Sequence, residues 1–171
     1  MPLLALLLQT GSLIALAILL VAAAWQDLRT LHIANSLPLS IVGVFAVWSA
    51  LGVVAGTSTV QGIALSVGCA AMLFLVATAA FAAGMMGGGD VKLAAAMALF
   101  AGPSLMLDFL LVVGIAGGVL GTVALVGVPI GPVADAEGTT VRSRLRSRLP
   151  YGPAIAAGGL WVAAVLACAL K

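Results

Sequence analysis

GMMGGGDVKL, residues 84–93, places four glycines, an acid and a lysine in a chain that is otherwise strongly apolar. Only 7% of the 171 residues are charged and 64% are hydrophobic, with a mean hydropathy of +1.31, which excludes a soluble domain of this size. Apolar runs of about 20 residues are typical of helices that cross a bilayer core about 30 Å thick. The alternating pattern of a membrane β-barrel is not seen. The composition therefore predicts an all-α membrane protein, with one polytopic domain over residues 1–171.

Six membrane-spanning helices are predicted from the apolar segments and the turn signals between them. Their approximate bounds are 3–25, 37–56, 60–83, 91–102, 104–130 and 150–170. The first segment is interpreted as a retained span because no Lys or Arg precedes it and it is longer than the apolar part of a signal peptide. The turns are predicted at GTST, residues 56–59, and at Gly102-Pro103.

The predicted fourth span is too short to cross a membrane alone. Its 11 residues from Val91 to Ala101 make about 17 Å of helix, against a core of about 30 Å. Either the helix continues past Pro103, or the glycine-rich loop before it dips into the membrane and carries Asp90 below the surface. Irregular backbone at that depth must be packed in protein or line a wet cavity. The second possibility makes Asp90 a candidate for chemistry.

The charged residues predict the topology. Six of the seven basic residues lie in the connections after spans one, three and five, which fall on the same side of a six-span protein. Because short loops rich in Lys and Arg stay in the cytoplasm, that side is predicted to be cytoplasmic and both termini to lie outside. The basic run at the end of loop 131–149, with Arg142, Arg144, Arg146 and Arg148, is interpreted as a topology anchor.

Two of the five acids, Asp27 and Asp90, are predicted to lie at the inner ends of spans on the same side of the membrane, and whether their carboxylates meet is left open. The simplest interpretation is that they mark the membrane edge and pair with Arg29 and Lys92. Ionisable groups within membrane spans are, however, functional candidates by default. The other three acids are assigned ordinary roles, as a helix-end or interfacial residue for Asp108 and as solvated loop residues for Asp135 and Glu137.

Two carboxylates in one pocket suggest acid–base chemistry. Like charge and poor solvation disfavour ionisation of both, so such a pair is expected to share one proton. The ionised member can activate a water while the protonated member donates to the carbonyl under attack, as in aspartic proteases. Gly87, Gly88 and Gly89 would allow close backbone approach and positive φ beside the acid.

Other classes of site receive little support. Cys69 and Cys168 stand alone and the chain has one histidine, so no metal and no cofactor are expected. A net charge of +2 without a basic and aromatic face does not suggest nucleic acid. The pairs Gly114/Gly118 and Gly117/Gly121 match the spacing of helix-packing glycines and are assigned to packing.

Three stretches, taken together, resemble the type IV prepilin peptidases. GMMGGGDVKL resembles that family's GxGD motif, and DLRTLHIAN, residues 27–35, resembles its D-x-R-x-x-x-I-P-N signature at Asp27, Arg29, Ile33 and Asn35. Ala34 stands where proline is usual in the family. LPYGPAIAAG, residues 149–158, resembles the family's P-[FY]-G-P-A segment. The three come in the family's order, and the resemblance extends over essentially the whole chain.

The resemblance implies a membrane aspartic endopeptidase of the bacterial inner membrane with Asp27 and Asp90 as its catalytic residues. It implies that the substrates are prepilins or pseudopilins, whose short basic leader is cut at the cytoplasmic face. Substrate binding or loop geometry is assigned to Gly87, Gly88, Gly89, Lys92, Arg29 and Asn35. The chain resembles the short branch that lacks a CxxC-containing methyltransferase insert and is associated with tight-adherence (Flp-type) pili.

Two other functions stay open from the sequence. A transporter or channel subunit could use Asp27 and Asp90 as proton or cation sites. A non-catalytic membrane scaffold could pack through its glycine faces and would tolerate changes from acid to amide. The oligomeric state is not predicted.

Overall fold

A computed structural model describes residues 2–126 and 150–170 and shows an all-helical membrane protein. Its five helices are α1 (Pro2–Thr30), α2 (Ser36–Ala55), α3 (Val60–Ala82), α4 (Gly88–Val126) and α5 (Gly152–Ala169). Each is long and apolar enough to cross a bilayer. The all-α membrane class predicted from the sequence is confirmed. The predicted loop 131–149, with its arginines, Asp135 and Glu137, lies outside the described residues.

The predicted count of six spans is not matched, because the fourth and fifth predicted spans lie within the single helix α4. That helix has 39 residues, and a straight helix of this length would measure about 58 Å, roughly twice the bilayer core. It is not straight, because Gly102 has the non-helical angles φ 52° and ψ −167°. The sequence placed a turn at this point correctly, and the helix resumes at Pro103 without a loop.

Contacts with α5 show that the two arms of α4 run in opposite directions. On the first arm, Asp90 shares a cavity with Asp27, which binds Gly152 at the start of α5, and Met97 lies against Gly159. On the second arm the order is reversed, since Phe109 lies against Gly158 and the later Gly117 against Tyr151. The chain therefore turns back on itself at Gly102.

Turns at the other helix ends follow from local capping. α2 ends at Gly56, whose φ of 73° lies in the left-handed region that favours glycine, and its last carbonyls accept hydrogen bonds from the following turn. α3 begins at Thr59, whose hydroxyl accepts a hydrogen bond from the Gly62 N–H at 3.1 Å. The turn predicted at residues 56–59 is thereby confirmed.

The core lies where α1, the first arm of α4 and α5 meet. Leu16, Leu20, Met97 and Ile155 are almost fully buried there. Small residues allow this close approach, since a Cβ added at Gly159 would lie 2.8 Å from Leu20 and 3.0 Å from Met97. Most of α3, by contrast, is exposed and presents apolar side chains such as those expected to face lipid.

The helix-packing role predicted for the α4 glycines holds at one position. A Cβ at Gly117 would contact Tyr151 and Ala154, whereas Cβ atoms at Gly114, Gly118 and Gly121 would meet no atom of the described residues within 4 Å. The tight glycine contacts lie instead on α5, at Gly158 and Gly159, which the sequence did not single out.

All three predicted cytoplasmic connections start from one end of the bundle, here called the aspartate end. There α1 ends and α2 begins, α3 ends and α4 begins, and α5 begins. The opposite end holds the start of α1, where Gln9 donates a hydrogen bond to Thr57 in the turn between α2 and α3. Asp27 and Asp90 therefore lie at the same end of the fold.

Candidate functional site: two buried aspartates at one end of the bundle

Asp27 lies in the last turn of α1 and is only 4% exposed. Its Oδ2 accepts a hydrogen bond of 2.8 Å from the backbone N–H of Gly152, the first residue of α5. A Cβ on Gly152 would lie 2.7 Å from both Cβ and Oδ2 of Asp27, closer than real side chains approach. A residue larger than glycine would therefore push Asp27 away from its donor.

Asp90 lies in the first turn of α4 and is 6% exposed. Its Oδ2 accepts a hydrogen bond of 3.2 Å from the N–H of Gly87, the residue just before the helix. A carboxylate that reaches back in this way satisfies a free donor at the helix N-terminus, where the helix dipole also favours negative charge. The other oxygen, Oδ1, is buried without a hydrogen-bond partner among the described residues. This buried oxygen can accept a hydrogen bond from a water or a substrate group.

Both aspartates line one cavity of about 60 Å³. The other walls are the turn Leu31–Ile33 and the three glycines 87–89. A buried water needs roughly 10–15 Å³ of such space, so the cavity can hold a few waters beside the carboxylates. The sequence placed both acids at span ends on the same side and left open whether they meet; the structure places both in one cavity.

Of the two properties predicted for the glycines beside Asp90, close backbone approach is found and positive φ is not. Gly88 and Gly89 already belong to α4, and the positive φ of this region is found at Gly84 (73°). Close backbone approach does occur, because a Cβ at Gly89 would lie 3.0 Å from the Cβ of Ile33. The glycine run therefore lets the start of α4 pack against the turn after Asp27.

That turn, residues 31–35, is stabilised by a residue that the sequence reasoning missed. Gln26 Oε1 accepts a hydrogen bond of 3.2 Å from the Ala34 N–H. Leu31, with φ of 50°, occupies the left-handed region, which is uncommon for a residue that is not glycine. A proline at position 34 would have no N–H to donate. Ala34, the departure from the family pattern, thus supplies a hydrogen bond that proline could not.

The remaining predicted site residues lie around this centre. Lys92 Nζ donates a hydrogen bond of 2.8 Å to Asn35 Oδ1, which joins α4 to the start of α2. The Arg29 guanidinium lies over the Trp25 ring, 4.4 Å from its centroid. No salt bridge to Asp27 or Asp90 is found within residues 2–126 and 150–170, so the simple interpretation of membrane-edge ion pairs with Arg29 and Lys92 is wrong there.

Gly152 is the other positioning residue that the sequence reasoning did not identify. The sequence does mark this region, because PYGPA, residues 150–154, resembles a family segment. It does not show which group that segment contacts. The structure shows that its glycine N–H binds the carboxylate of Asp27.

Comparison with known proteins gives one match. The model of the type IV leader peptidase family matches residues 14–122, well over half of the chain and a stretch that contains both aspartates. Searches of the curated proteins and of the solved structures found no match. The extent of the family match decides the assignment: the chain belongs to the type IV leader peptidase family.

Proposed function

We propose that this protein is a membrane aspartic endopeptidase that removes the leader peptides of prepilins or prepilin-like proteins. The observation that carries the proposal is the shared cavity. Asp27 and Asp90, which are distant in sequence, both line it, and Asp90 Oδ1 has no hydrogen-bond partner among the described residues. Membership in a peptidase family supports the same chemistry.

In the proposed reaction the two carboxylates share one proton, and a water lies between them. The ionised carboxylate removes a proton from the water as its oxygen attacks the scissile carbonyl carbon, and the protonated carboxylate donates to the carbonyl oxygen. Collapse of the tetrahedral intermediate breaks the C–N bond, and a carboxyl proton passes to the leaving amine. The Gly152 and Gly87 N–H groups hold the two aspartates in place during these transfers.

Access for the substrate requires a movement. The cavity of about 60 Å³ holds waters but is too small for a peptide segment, for which sites of about 300 Å³ or more are usual even with small ligands. Residues 83–87 connect α3 to α4 beside the cavity, where Gly87 is part of the lining and Gly84 has a positive φ. We infer that this connection moves aside when the substrate segment binds in extended form.

The aspartate end is proposed to face the cytoplasm of a bacterial inner membrane. Arg29 and Lys92 lie at this end, and short basic connections stay cytoplasmic. In a protein whose Cys69 and Cys168 are replaced by alanine, single cysteines introduced at His32 and at Thr57, at opposite ends of the bundle, would test the orientation in intact cells. A membrane-impermeant thiol reagent should label the Thr57→Cys protein and spare the His32→Cys protein, and the reverse pattern would contradict the proposal.

Co-expression with a tagged candidate prepilin tests the activity. The wild-type protein should shorten the prepilin on a gel, and N-terminal sequencing should locate the cut after the basic leader. Asp27→Asn and Asp90→Asn should leave the prepilin at full length while the variants still insert in the membrane. Full processing by either variant would exclude the proposed mechanism. Proton or cation flux that depends on Asp90, without a change in prepilin size, would support the transporter alternative.

The finer assignment concerns the kind of pilin. We propose that the protein acts on tight-adherence (Flp-type) prepilins and does not methylate the new N-terminus. Mass spectrometry of the processed pilin should show the mass of the cleaved chain without an added methyl group, and a mass higher by one methyl group would contradict this assignment.

A further inference from the structure

A second cavity, of about 530 Å³, lies beside the aspartate site and opens to the side of the bundle. We call it the lateral groove. Its floor is the first arm of α4, at positions 92, 95, 96 and 99, and its walls are α2 with its N-cap (Asn35–Val42) and α3 (Val67–Phe74). All three helices contribute four positions with the spacing i, i+3, i+4, i+7, so each presents one straight stripe about two turns long.

The shape of the lateral groove suits a helix. Three parallel stripes form a trough about 10 Å long, at 1.5 Å per residue. Four of its lining positions are alanines, Ala70, Ala71, Ala95 and Ala96, and small residues are what allows one membrane helix to approach another closely. Leu39 and Phe74 on the rims are exposed, so within the described residues the trough has no occupant.

The lateral groove begins close to the catalytic cavity, at the same end of the bundle, although the two share no lining residue. At the aspartate end its lining begins with Asn35 and Lys92. Lys92 follows Asp90 by two residues, and Asn35 follows Ile33, a wall of the catalytic cavity, by two residues. A helix in the groove would therefore bring the extended segment that precedes it to Asp27 and Asp90.

Among the described residues that line the lateral groove, Lys92 is the only one with a charge. Its ammonium group donates to the neutral Asn35 amide oxygen, and no carboxylate is among the residues that line the groove. A cation at the mouth of an apolar trough in a membrane is stabilised by a partner of opposite charge. The occupant is expected to bring that partner.

We propose that the lateral groove binds the apolar helix of the substrate, and that Lys92 pairs with a carboxylate in the first turn of that helix. This inference rests on the proposed function, since it names a binding site for the same substrate. It adds a residue that selects substrates, separate from the two that react.

Binding of synthetic peptides to the full-length protein in nanodiscs tests this site without requiring cleavage. The probe is a fluorescent peptide with a short polar segment and about 20 apolar residues, carrying one Glu in the first helical turn. The control peptide has Gln at that position. The wild-type protein should bind the Glu peptide roughly tenfold more tightly than the Gln peptide. Lys92→Gln should abolish that preference, and Lys92→Arg should retain it.

A variant that fills the lateral groove provides a second test. Ala71 is an exposed residue that lines the lateral groove, so Ala71→Trp should weaken binding of both peptides. The matched control, Val76→Trp, places the same side chain on an exposed position of α3 outside the groove and should bind like the wild type. Equal binding by the two Trp variants, or a Glu preference that survives Lys92→Gln, would overturn the proposal.

Two further outcomes separate the explanations. If Ala71→Trp displaces co-purified anionic phospholipid and leaves peptide binding unchanged, the groove is a lipid site and the proposal fails. Leader cleavage is measured on the same variants with a prepilin substrate. Peptide binding that depends on Lys92, without any cleavage by the wild type, would refute the endopeptidase function and keep the docking site. Undiminished cleavage by Lys92→Gln and Ala71→Trp would refute the docking site and keep the endopeptidase function.

Discussion

Asp27 and Asp90 are held in the same way by different parts of the chain. Each carboxylate accepts one backbone N–H from a glycine at the N-terminus of a helix, where the dipole favours negative charge. For Asp90 the donor is Gly87, three residues away on the same turn. For Asp27 it is Gly152, 125 residues away at the start of α5.

The difference shows which half of the site depends on the fold. The Asp90 half forms wherever α4 begins, because capping is a local property of the sequence. The Asp27 half forms only when α5 packs against α1, with Gly159 fitting between Leu20 and Met97. Disturbance of that helix contact should therefore impair Asp27 first and leave the Asp90 cap intact.

Among variants of the residues that position the two aspartates, Gly152→Ala should have the largest effect, because it disturbs the contact between α5 and Asp27. The new Cβ would lie 2.7 Å from the Asp27 Cβ, an atom fixed to the helix backbone that cannot rotate away. A displacement of about 1 Å at a reacting group can cost about a hundredfold in rate. We expect leader cleavage to fall by about that factor in a timed processing assay.

Gly118→Ala is the matched control for this change. It adds the same methyl group to a membrane helix at a position where nothing in the described residues lies within 4 Å. Processing should stay at the wild-type rate. If Gly152→Ala were as active as Gly118→Ala, the contact between α5 and Asp27 would have no part in the reaction.

Gly87→Ala should have a smaller effect, because it disturbs the local contact between Gly87 and Asp90. Its Cβ would lie 2.9 Å from Asp90 Oδ2, the far end of a side chain that can rotate, and the donor N–H is retained. We expect roughly a tenfold loss of cleavage, less than for the remote glycine. The same timed assay checks it. A loss greater than that of Gly152→Ala would show that the reaction depends more on the local contact of Asp90 than on the remote contact of Asp27.

Gln26→Ala should have the smallest effect of the three, because it removes one hydrogen bond from the turn behind the cavity. A typical hydrogen bond contributes about 1 kcal/mol, so a loss of about threefold to fivefold in cleavage is expected. Ala34→Pro, which stiffens the same turn without needing the Gln26 acceptor, should restore much of the activity when combined with Gln26→Ala. A double variant worse than Gln26→Ala alone would show that the Ala34 N–H has a further role.

The sequence was informative where the relevant signal was local. The acid after the glycine run, the turn at Gly56 and the apolar spans could be predicted because capping residues and hydropathy act over a few residues. The partner of Asp27 could not, since nothing near PYGPA indicates which carboxylate its N–H meets. The residues that line the lateral groove could not be predicted either. Helices that are apolar on every side show no periodicity that distinguishes a groove from a face toward lipid.

The count of spans failed for a related reason. Gly102-Pro103 carried a turn signal, but proline is also tolerated in the first turn of a helix, so the sequence could not distinguish a loop from a sharp reversal between helical arms. The order of contacts with α5 shows that the arms are antiparallel, because the first arm moves from the start of α5 to Gly159 while the second moves from Gly158 back to Tyr151.

The most direct test of the central claim is a comparison of Asp27→Asn, Asp90→Asn and the double variant in one quantitative cleavage assay. If the two carboxylates act as one proton-sharing unit, each single change should abolish cleavage and the double change should cost no more than either, as found for residues that act together. Binding of the helical peptide should be retained in all three. Substantial cleavage by a single variant, or losses that multiply in the double variant, would contradict the account.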